Sequence, residues 1–234
     1  MQDYPAVEHI IIDGASVDGT LEIIKEYPHL TWLSEPDRGQ SHALNKGFRM
    51  AQGEIIGWLN ADDTYRPGAI SKAVKCFQTN PQFDILYTDV QVIDENDQPI
   101  RLAKAEPFSL ERLLISNIIK QPTVFMRRKV LDRLGGVNEK LNFVMDREFW
   151  LRAGMLFNLQ YIPDEIFANF RYCKGTKSHE SVLDFHREWI DVLDEYGKSS
   201  DSNKPFLTTI AQAKQATLRQ YYFCKGCKFV HDRQ

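Results

Sequence analysis

Glu54-Ile55-Ile56-Gly57-Trp58-Leu59-Asn60-Ala61-Asp62-Asp63 is an apolar run that stops abruptly at an amide and two carboxylates. A short continuous apolar stretch bounded by polar residues reads as a buried strand, so the pattern predicts a strand over 54–59 whose carboxyl end carries the acidic cluster. Helical signals flank it. Upstream, Leu44, Phe48 and Ala51 share one helical face that Gly53 terminates. Downstream, Pro67 sits just inside a helix predicted to reach about Gln78.

Two similar units precede this one. Val7 to Asp13 reads as a buried strand ending in an acid, followed by a Gly/Ser/Asp turn and a helix over Gly19 to Glu26 with Asp18 as its N-cap. Leu30 to Ser34 is a second strand leading into Glu35-Pro36-Asp37-Arg38-Gly39. Three strand-to-helix units in succession predict an α/β fold, a mostly parallel sheet flanked by helices.

Beyond residue 80 the pattern becomes mixed. Asp84 to Asp94 alternates as a strand, Glu95 to Gln98 turns, and Ile100 to Ala103 returns antiparallel. A helix near Leu110, a strand over Thr123 to Met126 and a helix over Asp146 to Met155 follow. From Ser178 the chain reads helical to Tyr196, a polar link spans Lys198 to Lys204, and a last amphipathic helix carries Leu207, Ile210, Leu218 and Tyr221.

Composition narrows the function. With 43% hydrophobic residues in 234, a substantial core is expected. The 29 Lys+Arg against 32 Asp+Glu are scattered, which argues against nucleic acid as a partner. No apolar run approaches the ~20 residues of a spanning helix, and the start lacks the zones of a signal peptide, so a cytoplasmic protein is expected. Cys76, Cys173, Cys224 and Cys227 form no disulfide framework, and the single Cys224–Cys227 CxxC reads as incidental. His42, His179 and His186 are isolated and read as surface or supporting residues.

Ligands of parallel α/β sheets bind at the carboxyl ends of strands, where both Asp13 and the 60–63 cluster fall. Adjacent carboxylates at Asp62 and Asp63 repel unless a cation or donors intervene, and oxygen ligands suit Mg²⁺ or Mn²⁺. The competing reading is one capping aspartate beside one solvated aspartate. Asp13 could equally be an ordinary Asp-Gly turn residue. Asp146 either favours the amino end of its helix electrostatically or serves as a general base.

Taken together and in order, Ile12-Asp13-Gly14-Ala15-Ser16-Val17-Asp18-Gly19-Thr20, Asp37-Arg38-Gly39-Gln40-Ser41, Ala43-Leu44-Asn45-Lys46-Gly47, Gly57 to Asp63, Gln121-Pro122-Thr123-Val124-Phe125 and Met145 to Arg152 resemble the family 2 glycosyltransferases of GT-A (Rossmann-like) fold. The resemblance covers roughly residues 1–175. It implies an inverting enzyme that moves a sugar from a nucleotide-diphosphate sugar to an acceptor hydroxyl in polysaccharide or glycoconjugate biosynthesis. It also implies that Asp13 contacts the nucleobase, that Asp37, Arg38 and Asn45 lie near the nucleoside, and that Asn60-Ala61-Asp62 is the DxD-type motif. Asp62, helped by Asp63, would hold Mg²⁺ or Mn²⁺ on the donor diphosphate. Asp146 would be the catalytic base, with Gln121 and Glu148 on the acceptor side.

On this reading residues 1–100 are the nucleotide-sugar half, 101–177 the acceptor and catalytic-base half of the same domain, and 178–234 a C-terminal helical extension. The expected acceptor is a saccharide or a lipid-linked one. Tyr221, Tyr222, Phe223, Lys225, Lys228 and Phe229 mix aromatic and basic residues, which would suit peripheral contact with the inner face of the plasma membrane. Three departures from the family pattern stand out. Asn60 replaces an acidic residue, Cys173 stands where relatives often have a metal-reaching histidine, and Met1 to Pro5 resembles the end of the family's first helix with the preceding strand absent. They motivate an alternative, a truncated and inactive nucleotide-sugar-binding or partner-binding remnant. A metal-dependent nucleotidyltransferase or phosphohydrolase is the weaker alternative, because neither a phosphate-binding Gly-rich loop nor an aspartyl-nucleophile motif is present.

Overall fold

The computed structural model describes residues 2–198 and 204–231, with side chains over 2–198 and 206–225. The chain opens with β1 (His9–Asp13), α1 (Thr20–Lys25), β2 (Leu30–Ser34) and α2 (Gln40–Met50). β1 and β2 pair in parallel, His9 opposite Leu30 and Asp13 opposite Ser34. Then come β3 (Ile55–Gly57), β4 (Thr64–Tyr65), α3 (Ala69–Thr79), β5 (Ile85–Ile93), β6 (Pro99–Ala103) and α4 (Leu110–Ile115). A 3₁₀ turn at Gln121–Thr123 leads to β7 (Phe125–Arg127), α5 (Arg128–Leu134), α6 (Met145–Gly154) and β8 (Leu159–Arg171). α7 (Lys177–Glu180), α8 (Val182–Lys198) and α9 (Lys204–His231) complete the fold.

The α/β class is as expected, but the main sheet is mixed rather than mostly parallel. Its order is β3-β7-β5-β8-β4, with β6 also on β5. Only β5 and β8 run parallel in it, whereas β3–β7, β5–β7, β5–β6 and β4–β8 are antiparallel. The nine-residue β5 is the common member: Ile85 and Leu86 pair with β7, Val90 to Ile93 with β6, and the whole strand with β8 on its other edge.

Several boundaries differ from the sequence expectation. The strand expected from Thr123 begins at Phe125, because Thr123 is held in the 3₁₀ turn: its hydroxyl accepts from Thr88 N at 3.0 Å and donates to Lys120 O at 2.8 Å. Pro67 precedes α3 instead of opening it, since Gly68 takes φ +72° at the cap. Gly19, at φ +89°, occupies the cap position of α1, while Asp18 still accepts from Thr20 N at 3.2 Å. The helix expected from Ser178 breaks at Ser181 into α7 and α8. β8 is not among the elements expected from the sequence, and Pro163-Asp164 falls within it. The strand passes this pair as a bulge, with Tyr87 opposite Tyr161 and Asp89 opposite Ile166, and with Asp164 at φ +61°.

Residues 2–8 are not helical. Instead Gln2 donates to Arg66 O at 2.8 Å and accepts from Ile70 N at 3.1 Å, while Asp3 accepts from Ser71 Oγ, tying the segment to the start of α3. β1–β2 and the β3-led sheet are separate sheets. Accordingly Ile10, Ile11 and Ile12 stay half-buried and Gly57 of β3 is exposed.

The core is centred on α6. Phe149, Trp150 and Leu151 are fully buried against Leu113 and Leu114 of α4 and Ile85 and Tyr87 of β5. Trp189, Val192 and Leu193 of α8 and Ile210 and Ala213 of α9 join the same cluster, so the C-terminal helices share the core of the preceding elements. No helix of the described residues is long and apolar enough to cross a membrane. On α9, Tyr222 and Phe223 are exposed; Cys227, Lys228 and Phe229 lie outside the residues whose side chains are described.

Trp150 is at once a core centre and a wall behind the site, its ring 6.2 Å from that of Trp58. Trp150→Ala is expected to destabilise the fold by about 3–5 kcal/mol, measured by urea denaturation at neutral pH.

Candidate active site

At the carboxyl end of β3 the chain passes Trp58 and Leu59 into the acidic cluster, and Asn60 becomes a junction. Its amide oxygen accepts from Gln40 Nε2 at 3.0 Å and Trp58 Nε1 at 3.2 Å. Its amide nitrogen donates to Gln121 Oε1 at 3.1 Å and lies 3.5 Å from Asp63 Oδ2. Gln121 in turn donates to Trp58 O at 2.7 Å. The junction needs a donor and an acceptor on one side chain, which asparagine has and ionised aspartate lacks. This is a physical reason for Asn60 where the family pattern has an acid.

Asp62 and Asp63 part company. Asp63 is 5% exposed, and its Oδ1 accepts from Arg171 N at 2.9 Å, so it pins the start of β4 to the end of β8. Burial pushes its carboxyl up to about 7, against the pull of the Arg171 N–H. Asp62 is exposed, and its carboxylate accepts no hydrogen bond and joins no ion pair among the described residues. Of the expected metal pair, only Asp62 therefore has an uncommitted carboxylate among the described residues. Asp63 is committed to the backbone.

A cavity of ≈ 560 Å³ opens beside this junction, lined among others by Gln40, Trp58, Asn60, Asp62, Gln121 and Asp146. Val90 and Val92 of β5 and their cross-strand partners Ala103 and Arg101 of β6 also line it. Asp146 lies in the first turn of α6. Burial pushes its carboxyl up, while the Arg147 N–H and the Asn117 amide, 3.4 Å from Asp146 Oδ2, pull it down. The adjacent Arg147 guanidinium is fixed over the Trp189 ring at 3.9 Å and donates to Leu113 O at 2.9 and 2.7 Å. Burial brings it down to about 9.

The other residues expected near the donor, and Glu148 expected on the acceptor side, lie outside this cavity's lining. Asp13 is buried at the end of β1, and hydrogen bonds from Ser16 and Ser34 hold its carboxyl below the usual range. Asp37 accepts from Gly39 N at 2.8 Å. Arg38 is exposed and paired with Glu139 at 2.6 Å. Asn45 is buried, bonded in both directions to the Val137 backbone at 2.9 Å and to Glu139 at 3.1 Å, so it braces α2 against the loop after α5. Glu148 faces the core side of α6. Arg152 clamps it at 2.8 and 2.9 Å and Tyr196 OH donates to it at 3.0 Å.

The sequence reading missed the residues that support the cavity and line it from the C-terminal side. Glu188 of α8 accepts from the backbone N–H groups of Asn142, Phe143 and Val144 at 2.8, 2.6 and 2.8 Å, fixing the loop that enters α6 just before Asp146. Lys177 lines the cavity and donates to Gln40 Oε1 at 3.1 Å and Asn142 O at 3.0 Å. Desolvation pulls its ammonium down despite nearby Glu188. Asn117 and Lys120 were missed as well, although they flank the apolar pair Ile118-Ile119.

The described residues hold no cluster of three or more His, Cys, Asp and Glu side chains suited to a metal. Mg²⁺ and Mn²⁺ bound to a nucleotide diphosphate need little more than one protein carboxylate, with phosphate and water supplying the rest, and Asp62 fits that role.

The family model for "Glycosyl transferase family 2" matches residues 1–135. Among known proteins, an uncharacterized glycosyltransferase of Methanocaldococcus jannaschii is 28% identical over 153 residues, covering 62% of this chain and 52% of that protein. Escherichia coli chondroitin synthase is 26% identical over 187 residues, covering 78% and 27%. Among solved structures, Staphylococcus aureus TarS 1–349 in complex with UDP-GlcNAc matches with a TM-score of 0.68 at 20% identity, covering 94% of this chain and 66% of that one. The mannosyltransferase PcManGT of Pyrobaculum calidifontis, in complex with GDP-Man and Mn2+, matches with a TM-score of 0.64 at 20% identity, covering 93% and 66%. The chain thus spans about half the length of the M. jannaschii relative and about two thirds of each structural neighbour. The fold is that of the GT-A glycosyltransferases, and by the family match over most of its length the chain belongs to glycosyl transferase family 2.

Proposed function

We propose that this chain transfers a sugar from a nucleotide-diphosphate donor to an acceptor hydroxyl with inversion, in the assembly of a polysaccharide or glycoconjugate at the cytoplasmic side of the cell. One observation carries the reading. A single cavity holds a free carboxylate, Asp62, beside the Asn60 junction and a second, desolvated carboxylate, Asp146, at the start of α6. The bound nucleotides named for the structural neighbours, UDP-GlcNAc and GDP-Man with Mn2+, support a donor of this class.

In the proposed reaction Asp146 takes the proton of the acceptor hydroxyl as its oxygen attacks the anomeric carbon. The bond to the diphosphate oxygen breaks on the opposite face, and the nucleoside diphosphate leaves with the bonding pair. Asp62 would hold the divalent cation, whose contribution is to stabilise charge on the leaving diphosphate. Lys177 adds a fixed positive charge at the same end. Asp13, buried and ionised at the end of β1, is the residue proposed for the nucleobase. Gln121 fixes the cavity wall between the two ends. Glu188 acts as a positioning residue, because it holds the backbone from which Asp146 projects.

Calorimetric titration with UDP and GDP, with and without Mn²⁺, tests the donor half. Binding is expected to require Mn²⁺ and to weaken at least about tenfold in Asp62→Ala, roughly the loss of one charged ligand worth 1.4 kcal/mol or more. No nucleotide binding by the intact chain would instead favour an inactive remnant.

Asp146→Asn is expected to keep nucleotide affinity and lose about 10²–10⁴-fold in donor turnover, the usual contribution of a general base. The pH profile gives a second readout. Protonated Asp146 cannot accept a proton, so turnover falls as pH drops through its raised pKa, at a higher pH than for an ordinary aspartate. Asn117→Ala removes a donor that favours the charged form and is expected to move this acidic limb to still higher pH.

For Glu188→Ala, faster amide exchange at 142–144 and a lower kcat with unchanged donor KM are expected, with partial rescue in Glu188→Gln. Unchanged exchange at those three amides would refute the positioning role.

A further inference from the structure

Residues 101–120 run from β6 through α4 to the edge of the cavity and carry four basic side chains: Arg101, Lys104, Arg112 and Lys120. Two are spoken for. Lys104 pairs with the buried Asp89 at 2.6 Å, and Arg112 holds Glu106 with two bonds of 2.9 Å. The other two, Arg101 and Lys120, both line the cavity, and among the described residues neither is paired with a carboxylate. Lys120 is half-buried, and its ammonium donates to Asn117 O at 3.2 Å. Arg101 shares a sheet face with Val90, Val92 and Ala103, the apolar floor of the cavity.

A partly desolvated ammonium beside a guanidinium, without a counterion, is an unfavourable arrangement that an incoming anion relieves. Desolvation and the nearby Arg101 both pull Lys120 down, whereas Glu106 and Asp89 pull it up. These two carboxylates are paired directly with Arg112 and Lys104, and neither makes an ion pair with Lys120. The cations also sit on the acceptor side. The 117–120 turn that presents Lys120 also presents Asn117 to Asp146 Oδ2, whereas Lys177 reaches Gln40, which bonds Asn60. An acceptor could therefore set its hydroxyl at Asp146 and its own charge at Lys120 and Arg101, clear of the repelling carboxylate.

Resting on the transferase reading above, we infer that the acceptor is anionic, a saccharide bearing a phosphate or carboxylate that Lys120 and Arg101 bind. The test is calorimetry on the full chain saturated with Mn²⁺ and UDP or GDP, titrated with glucose, glucose 6-phosphate and glucuronate. At least one charged sugar is expected to bind at least tenfold more tightly than glucose, and whether the phosphate or the carboxylate binds more tightly identifies the group. Lys120→Met and the exposed Arg101→Gln are each expected to reduce that preference at least fivefold with nucleotide affinity unchanged, and Lys120→Arg to restore it. Nucleotide binding with equal affinity for the three sugars, with none of them bound, or with a preference untouched by either substitution overturns this assignment alone. Failure of the wild-type chain to bind any nucleotide overturns the donor reading and this assignment with it.

Discussion

The side-chain amide of Asn60 is the contact on which the site depends. Gln40 comes from α2, Trp58 from the end of β3 and Gln121 from the 3₁₀ turn before β7, and one amide group bonds all three. Because Asn60 is neutral it can stand within 3.5 Å of the buried Asp63 without adding a second charge. Aspartate there would bring two carboxylates together in a desolvated place, which strongly raises one pKa. The junction leaves Asp62 as the member of the cluster free to meet a ligand.

The second constraint is the anchoring of α6. Its apolar face is the centre of the core, and its first turn carries Asp146. Glu188 supplies acceptors for three consecutive backbone N–H groups ahead of that turn, and Arg147 is locked over Trp189. Both partners come from α8. The C-terminal helices therefore do more than extend the fold: they cover its core and set the position of a residue at the site.

Charge in the cavity is sorted by position. The Asn60 junction carries Asp62 and Lys177, the start of α6 carries Asp146, and the wall formed by β6 and the 117–120 turn carries Arg101 and Lys120. In a chain of net charge −3, a cavity with three cations and two carboxylates is a local inversion of the overall balance, suited to substrates bearing negative charge.

The sequence by itself determined the α/β class, a strand shortly before Asn60 to Asp63, though it ends at Gly57 rather than Leu59, and the order of motifs that marks the family, because apolar periodicity and local turn chemistry act over a few residues. It also placed Asp146 at a helix start. Tertiary structure alone decided which of these groups are free. Asp62 and Asp63 are identical neighbours in sequence, yet only Asp63 meets the backbone of Arg171, more than a hundred residues away. Asn45 and Glu148 have the polarity of ligand contacts, but Val137 and Arg152 claim them. β8 and the mixed sheet could not be read locally, since a bulge at Pro163-Asp164 looks like a turn until β5 pairs on both sides of it. Glu188 and Lys177 gave no local signal for the same reason: a side chain's role is fixed by what it faces, and their partners lie about 35–46 residues away or farther in the chain.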